Sequence, residues 1–427
     1  MTPSTVPRRA AWGIADQAFS SLTNFALSAI VARHTDPVGF GRFALIFSSY
    51  LIVLGLVRSA TTLPLLVRFS HTSEDDWRDA TAAAIATAII LGVVAGVVCV
   101  VGGLIFQELR GSLVALAITL PGLLLQETWR HAFIAQGAPV RAFLNDLLWA
   151  VVLVPAIAIA VRGEGSVPSF VLAWGVAGSD AGAVGMAQAR VRPSIGRVRA
   201  WLRDHRDLSQ NQVGEFLANT GSLQLVMYGA GAIVGLQAAG ALRGAQVLLG
   251  PLHVAFQGAW IIGLSELVRV LRRRPRTFTT AAITLSAVVG AGGVAYVLLF
   301  LAFGDRVGPE LLGATWTSAE TVFLPMGIAA IATGLWLGAS VGLRALEEAR
   351  TSFRLRLIVS SGHVVGAFAG MAIADVRGAA WGLATTFSIG VAIWWLGFRS
   401  ARARRVASER ATDGDAFPAG AVVDGAP

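Results

Sequence analysis

The chain has 427 residues, of which 55% are hydrophobic and only 14% charged, well below the roughly 25% charged residues of a soluble domain. Its formal net charge of +9 comes from 34 basic residues, every one an arginine. With a mean hydropathy of +0.66, these values exclude a soluble globular enzyme. The arginines flank apolar runs, where they set orientation and meet anionic lipid headgroups rather than nucleic acid.

Twelve apolar stretches follow one another, at 10–32, 43–67, 80–106, 112–134, 143–161, 168–188, 211–236, 245–267, 278–303, 317–343, 354–374 and 379–398. Each is near the ~20 residues a helix needs to cross hydrocarbon. The first carries Asp16, Gln17 and Asn24 and reads as a retained helix rather than a cleaved signal. The second holds Arg58 between apolar neighbours, a position that favours either a cavity or a carboxylate partner. In the fourth, Gln126, Glu127, Arg130 and His131 stand close together, and spacings of three and four put the last three on adjoining parts of one face. Asn145 and Asp146 open the fifth, where Asp146 serves equally as cap or charge partner.

Residues 190–208 alternate arginine with apolar residues around Trp201 and read as an amphipathic segment on the cytoplasmic face. The seventh helix then offers Glu215, Asn219, Gln224 and Tyr228 in a rough stripe that matches the polar positions of the first helix. Gln246, His253, Gln257 and Glu266 are further candidates in the eighth, while isolated His363 and Asp180 read as ordinary interhelical hydrogen bonders. From about Ala407 the chain turns polar and is expected to be disordered.

Arginine distribution sets the topology. One set of alternate loops and both tails carries 26 arginines and the other set 7, including Arg33, Arg42 and Arg243, with Arg58 inside a span. Short basic segments stay cytoplasmic, so both termini are expected inside. A shift of 201 residues brings Gly39, Arg42 and Ala44 onto Gly240, Arg243 and Ala245. The expected fold is therefore all-α and integral to the membrane, with about 12 transmembrane helices in two six-helix bundles. Its parts are a first bundle at 1–189, a linker at 190–209, a second bundle at 210–400 and a tail at 401–427. A substrate site is expected between the halves near the midplane.

Catalytic constellations are missing from the sequence. The single Cys99 allows no intrachain disulfide, the six histidines have no metal-ligand spacing, and a chain without lysine has no phosphate loop ending in Gly-Lys. No cofactor, metal or enzymatic activity is expected.

The opening WGIADQAFSSLTNFALSAIVARHTDPVGFGRFAL resembles polysaccharide flippases, which share a superfamily with multidrug/toxin extruders and the lipid II flippase. PLLVR (64–68), RHAFIAQGAP (130–139), AWLRDHRDL (200–208), GALRGAQVLLGPLHVAFQG (240–258) and LLGATW (311–316) have the same look, and the similarity spans about residues 10–400. One departure is Ser265, where relatives often carry proline before the acidic residue matched by Glu266. The resemblance implies export of a lipid-linked, often anionic, glycan from the cytoplasmic to the outer leaflet of a bacterial plasma membrane, for exopolysaccharide synthesis. On that reading Arg58, Arg130, Gln126, Asn24, Asn219, Gln224 and Tyr228 would contact substrate, and Asp16, Glu127, Asp146 or Glu215 would couple transport to an ion. Partners would be the lipid-linked glycan, membrane lipids and assembly enzymes such as a glycosyltransferase or polymerase, with no nucleic acid. The alternatives are a multidrug antiporter, which would want acidic residues deep in its cavity, and a non-transporting scaffold for glycan assembly. Short outer loops argue against a membrane glycosyltransferase.

Overall fold

The computed structural model describes the backbone of residues 5–70 and 72–415, and the side chains of residues 19–408 other than residue 71. Among the described residues there is no β-strand. The first half contains α1 (Thr5–His34), α2 (Pro37–Ala60) with its continuation α3 (Thr62–Arg68), α4 (Glu74–Ile105), α5 (Arg110–Ala135), α6 (Pro139–Arg162) and α7 (Val167–Ala189). Two short helices, α8 (Val198–Asp204) and α9 (Arg206–Phe216), lead into α10 (Ser222–Gly229), which is flanked by π turns at Leu217–Gly221 and Ala230–Val234. Then come α11 (Leu236–Leu248), α12 (Gly250–Arg273), α13 (Phe278–Leu312), α14 (Trp316–Ala345) and α15 (Ala349–Asp415). The last is a hairpin, reversing at Ala374 and Asp375, where φ is −149° and +50°.

Local chemistry explains the starts. The Asp36 carboxylate accepts the Gly39 N–H at 2.8 Å ahead of Pro37 at the first turn of α2, and Ser73 caps α4 just before Glu74, Asp75 and Asp76. Caps satisfy orphan N–H groups, Pro suits the first turn, and acidic residues there oppose the helix dipole. Among the described residues eight helical segments are long and apolar enough to cross a membrane, two of them, Pro275–Ala345 and Ala349–Ser408, being 71 and 60 residues long. Their outer faces are apolar, as Val94, Val97, Val98, Val101 and Ile105 on α4 show by lying exposed. This is a multi-pass membrane protein.

The halves meet along α2 and α11. A Cβ on Gly41 would lie 1.8 Å from the Leu236 carbonyl oxygen, and one on Gly240 would lie 2.7 Å from that of Pro37, so only glycine lets these backbones touch. At the same end Arg33 donates to the Glu310 carbonyl at 2.7 Å and to its carboxylate at 3.2 Å. Further along, α10 packs on α2, with 2.5 Å between the Tyr228 and Ser49 hydroxyls, and α1 packs on α11 and α12.

Three sequence expectations need adjustment. The loop at 237–244 implied by the bounds of the seventh and eighth spans is helical instead. The chain turns on Gly235 alone, at φ +123°, and α11 starts nine residues before the expected 245, taking Arg243 off the surface and into a helix. The amphipathic linker lays its apolar side on the protein: Trp201 is buried, donates to the Ala60 carbonyl at 2.9 Å and stacks on Phe69. Arg68 reinforces this strap by donating at 2.7 Å to both the Asp204 carbonyl and the Asp207 carboxylate. Finally, α15 continues helical through Asp415, past the polar switch at Ala407, while 416–427 lie outside the described residues. Near its base, the Thr351 hydroxyl at 2.6 Å and Arg404 at 3.3 Å hold the Glu348 carboxyl below the usual carboxylate range.

Candidate functional site

Charged side chains of α2, α5 and α6 in the first half gather into one cluster. Glu127 on α5 is 5% exposed and is approached at 2.7 Å by both Nε and a terminal nitrogen of Arg58 on α2. One helical turn on, His131 Nδ1 lies 3.1 Å from the Glu127 carboxylate and 2.9 Å from its carbonyl oxygen. Arg130 stands 3.9 Å from Glu127 and 3.4 Å from Asp146 on α6. Gln126 donates to Asp146 at 2.7 Å, and Asn145 donates to the Ala181 carbonyl on α7 at 2.8 Å. Among the described residues two arginines are thus matched by two carboxylates, and Arg58 spends its cation on Glu127. Buried charges survive only when paired and hydrogen-bonded in this way.

The open space lies elsewhere. A cavity of about 650 Å³ runs between α1, α2, α11 and α12, lined by Asn24, Ser28, Phe47, Arg243, Gln246 and His253 among others. Arg243 donates to the Ser28 hydroxyl at 3.1 Å, and its guanidinium carbon sits 4.1 Å over the Phe47 ring. Its Nε is buried without a hydrogen-bonding partner, and it has no carboxylate within ion-pair distance among the described residues. Seven residues past the start of α11, it sits about 10 Å along the helix.

His253 and Gln257 also line a second cavity of about 660 Å³, so the two adjoin. The second is walled by Phe256, Trp260, Trp336, Phe387 and Trp394, with Asn219, Arg356 and His363. Through Ser360 it adjoins an apolar groove of about 430 Å³ between α2, α10 and α15 that includes Ile52, Leu225 and Tyr228. None of the three is lined by Asp or Glu among the described residues.

The sequence candidates therefore divide. Arg58, Gln126, Glu127, Arg130 and Asp146 come together in the ion-pair cluster. Asn24 faces the Arg243 cavity, Asn219 the aromatic one and Tyr228 the groove. The π turn at Leu217–Gly221 breaks the period that would have kept the seventh-helix residues in one stripe. Gln224 is buried and lines none of these cavities, and Glu215 is held by Arg344 at 2.8 Å. Asp16 lies outside the residues whose side chains are described. Among the described residues no group of three or more His, Cys, Asp or Glu could hold a metal ion. Sequence reasoning missed Arg243 and Arg356 by counting both as loop charges. The available signal was the stretch from Leu236 to Leu249, which carries Arg243 as its only charge and has no proline, aspartate or asparagine to mark a loop.

No family model matches the sequence, and no curated protein matches it. Among solved structures, an inward-facing multidrug-resistance MATE-family transporter of the MOP superfamily superposes with a TM-score of 0.67 at 16% identity, covering 92% of this chain and 96% of that one. The lipid II flippase MurJ, in an inward closed conformation, gives 0.68 at 9% identity over 96% and 94%. The chain has the fold of these transporters. A MOP-superfamily transporter from Pyrococcus furiosus, whose reversed pocket polarity suggested a different function, gives 0.60 at 14% identity over 94% and 95%.

Proposed function

We propose that this protein is a flippase for a lipid-linked, anionic saccharide. In this reading twelve spans form two six-helix bundles, both termini are cytoplasmic, and the bundles rock about α2 and α11 in the plasma membrane. The observation that carries it is Arg243: a cation in the cavity between the halves, with a hydroxyl and an aromatic face beside it and, among the described residues, no carboxylate to neutralise it. A guanidinium in such a setting suits the paired oxygens of a phosphate or pyrophosphate. The wall also supplies Asn24, Gln246 and Gln257 for hydrogen bonds to the rest of a headgroup.

Substrate contact passes in this reading from Arg58, Arg130 and Gln126, which the buried cluster engages, to Arg243, with Asn24 and Asn219 retained. Glu127 and Asp146 remain the described candidates for ion coupling. Coupling is rejected if reconstituted protein moves substrate equally with and without an ion gradient. The multidrug alternative draws on the aromatic walls, which would suit flat organic cations, but those walls carry Arg356 and no described carboxylate.

The test is translocation of a fluorescent polyprenyl-pyrophosphate saccharide in reconstituted vesicles. A charged hydrogen bond contributes about 1.5–3 kcal/mol, so Arg243→Gln should slow transport by roughly 10- to 100-fold. Full activity of this variant, or transport of cationic dyes instead of the glycolipid by the wild type, overturns the reading.

A further inference from the structure

The aromatic chamber in the second half has features that a phosphate site does not need. Trp336 and Trp394 lie nearly parallel, with ring centroids 5.1 Å apart and planes 9° apart. His363 is 6% exposed and stacks on Phe387 at 3.7 Å with a 4° angle between planes. Two buried polar atoms on this wall have no hydrogen-bonding partner, Trp336 Nε1 and His363 Nε2. An indole N–H only donates, whereas a ring nitrogen of His accepts or donates according to tautomer. Leaving both unsatisfied carries a desolvation cost; neither atom is open to the chamber in this state, and a ligand relieves the cost by drawing the two side chains toward it. Arg356 adds a cation, its guanidinium carbon 5.9 Å from the Trp394 ring centre.

We infer that this chamber is a sugar-binding subsite, in which pyranose rings lie against the half-buried Trp336, backed by the buried Trp394. Ring C–H faces pack on indole, hydroxyls satisfy Trp336 Nε1 and His363 Nε2, and Arg356 selects rings bearing a carboxylate or other acidic substituent. Hydroxyls both donate and accept, which is what one orphan donor beside one tautomer-dependent nitrogen requires. At about 660 Å³ the chamber is within the range of ligand pockets, and it adjoins the Arg243 cavity at His253 and Gln257, which leaves the phosphate end of the same molecule to Arg243. The inference rests on the flippase reading and names the part of the substrate that sets specificity.

The experiment measures binding to purified full-length protein in nanodiscs of three probes: polyprenyl pyrophosphate, the same lipid carrying a neutral disaccharide, and the same lipid carrying a glucuronate-containing disaccharide. Wild type should bind the glucuronate lipid tightest and the sugar-free lipid weakest. Trp336→Phe keeps an aromatic ring and removes the indole N–H, and His363→Phe keeps a ring and removes both imidazole nitrogens. Each should weaken both saccharide lipids about fivefold, the worth of one neutral hydrogen bond, and leave the sugar-free lipid unchanged, which also certifies the fold. Arg356→Gln should erase the preference for glucuronate over the neutral sugar. Equal wild-type affinity for sugar-free and sugar-bearing lipids, or equal loss for all three probes in the Phe variants, overturns the subsite while leaving the flippase reading standing. Failure of wild type to bind any of the three overturns both.

Discussion

Replacing Arg58 by Ala separates a structural cation from a substrate-binding one. Arg58 makes two close contacts at 2.7 Å to Glu127, whose side chain is 6% exposed, while its own side chain is 44% exposed. Charge-assisted hydrogen bonds contribute about 1.5–3 kcal/mol each, but the exposure of Arg58 screens part of this. Glu127 also keeps His131 at 3.1 Å and Arg130 at 3.9 Å, so its carboxylate is not left alone. The expected cost of Arg58→Ala is therefore about 2–3 kcal/mol, below the ~3–5 of a fully buried broken pair. Glu127→Gln should cost less, since Arg58 can turn to solvent. The double variant should fall short of additivity by about 1–2 kcal/mol, as contacting residues do. Reversible unfolding in mixed micelles measures all three. The reasoning is refuted if Arg58→Ala unfolds with the wild type yet no longer moves substrate, because Arg58 then contacts cargo rather than Glu127.

Three further outcomes follow from the packing. Gly41→Val should part α2 from the Leu236 carbonyl, which a Cβ would approach to 1.8 Å; overpacking of this kind costs about 1–3 kcal/mol. Labelling of Ser28→Cys by an impermeant maleimide in a Cys99→Ala background should then rise, and unchanged labelling would show that the seam does not close the Arg243 cavity. Trp201→Ala should cost about 3–5 kcal/mol and open 190–208 to protease, whereas Trp201→Phe, which keeps the stack on Phe69 and loses the bond to Ala60, should cost about 1 kcal/mol. Because the folded-state carboxyl of Glu348 titrates below its unfolded value, its tie to Thr351 and Arg404 is fully present above the unfolded value. The tie is lost as pH falls through the lowered one. Hydrogen exchange near Arg404 should accelerate on acidification in that window, and Glu348→Gln should remove the pH dependence.

Apolar length and arginine placement, both local quantities, determined the class of this protein. A run of about twenty apolar residues has no other stable outcome than a helix in hydrocarbon, because its backbone groups must pair within the segment. The spacing of Glu127, Arg130 and His131 likewise put them on one face before any neighbour was known. Tertiary structure decided which charges are spent and which are free. Arg58 looked the deepest cation along the chain, yet α5 brings Glu127 to it; Arg243 looked like a loop residue, yet the turn on Gly235 draws it between the halves. Pairing across helices far apart in sequence leaves no periodic trace, and neither does the gathering of Trp260, Trp336 and Trp394 from three helices around one chamber. The membrane fold is a property of each segment by itself, whereas the site belongs to the space between segments.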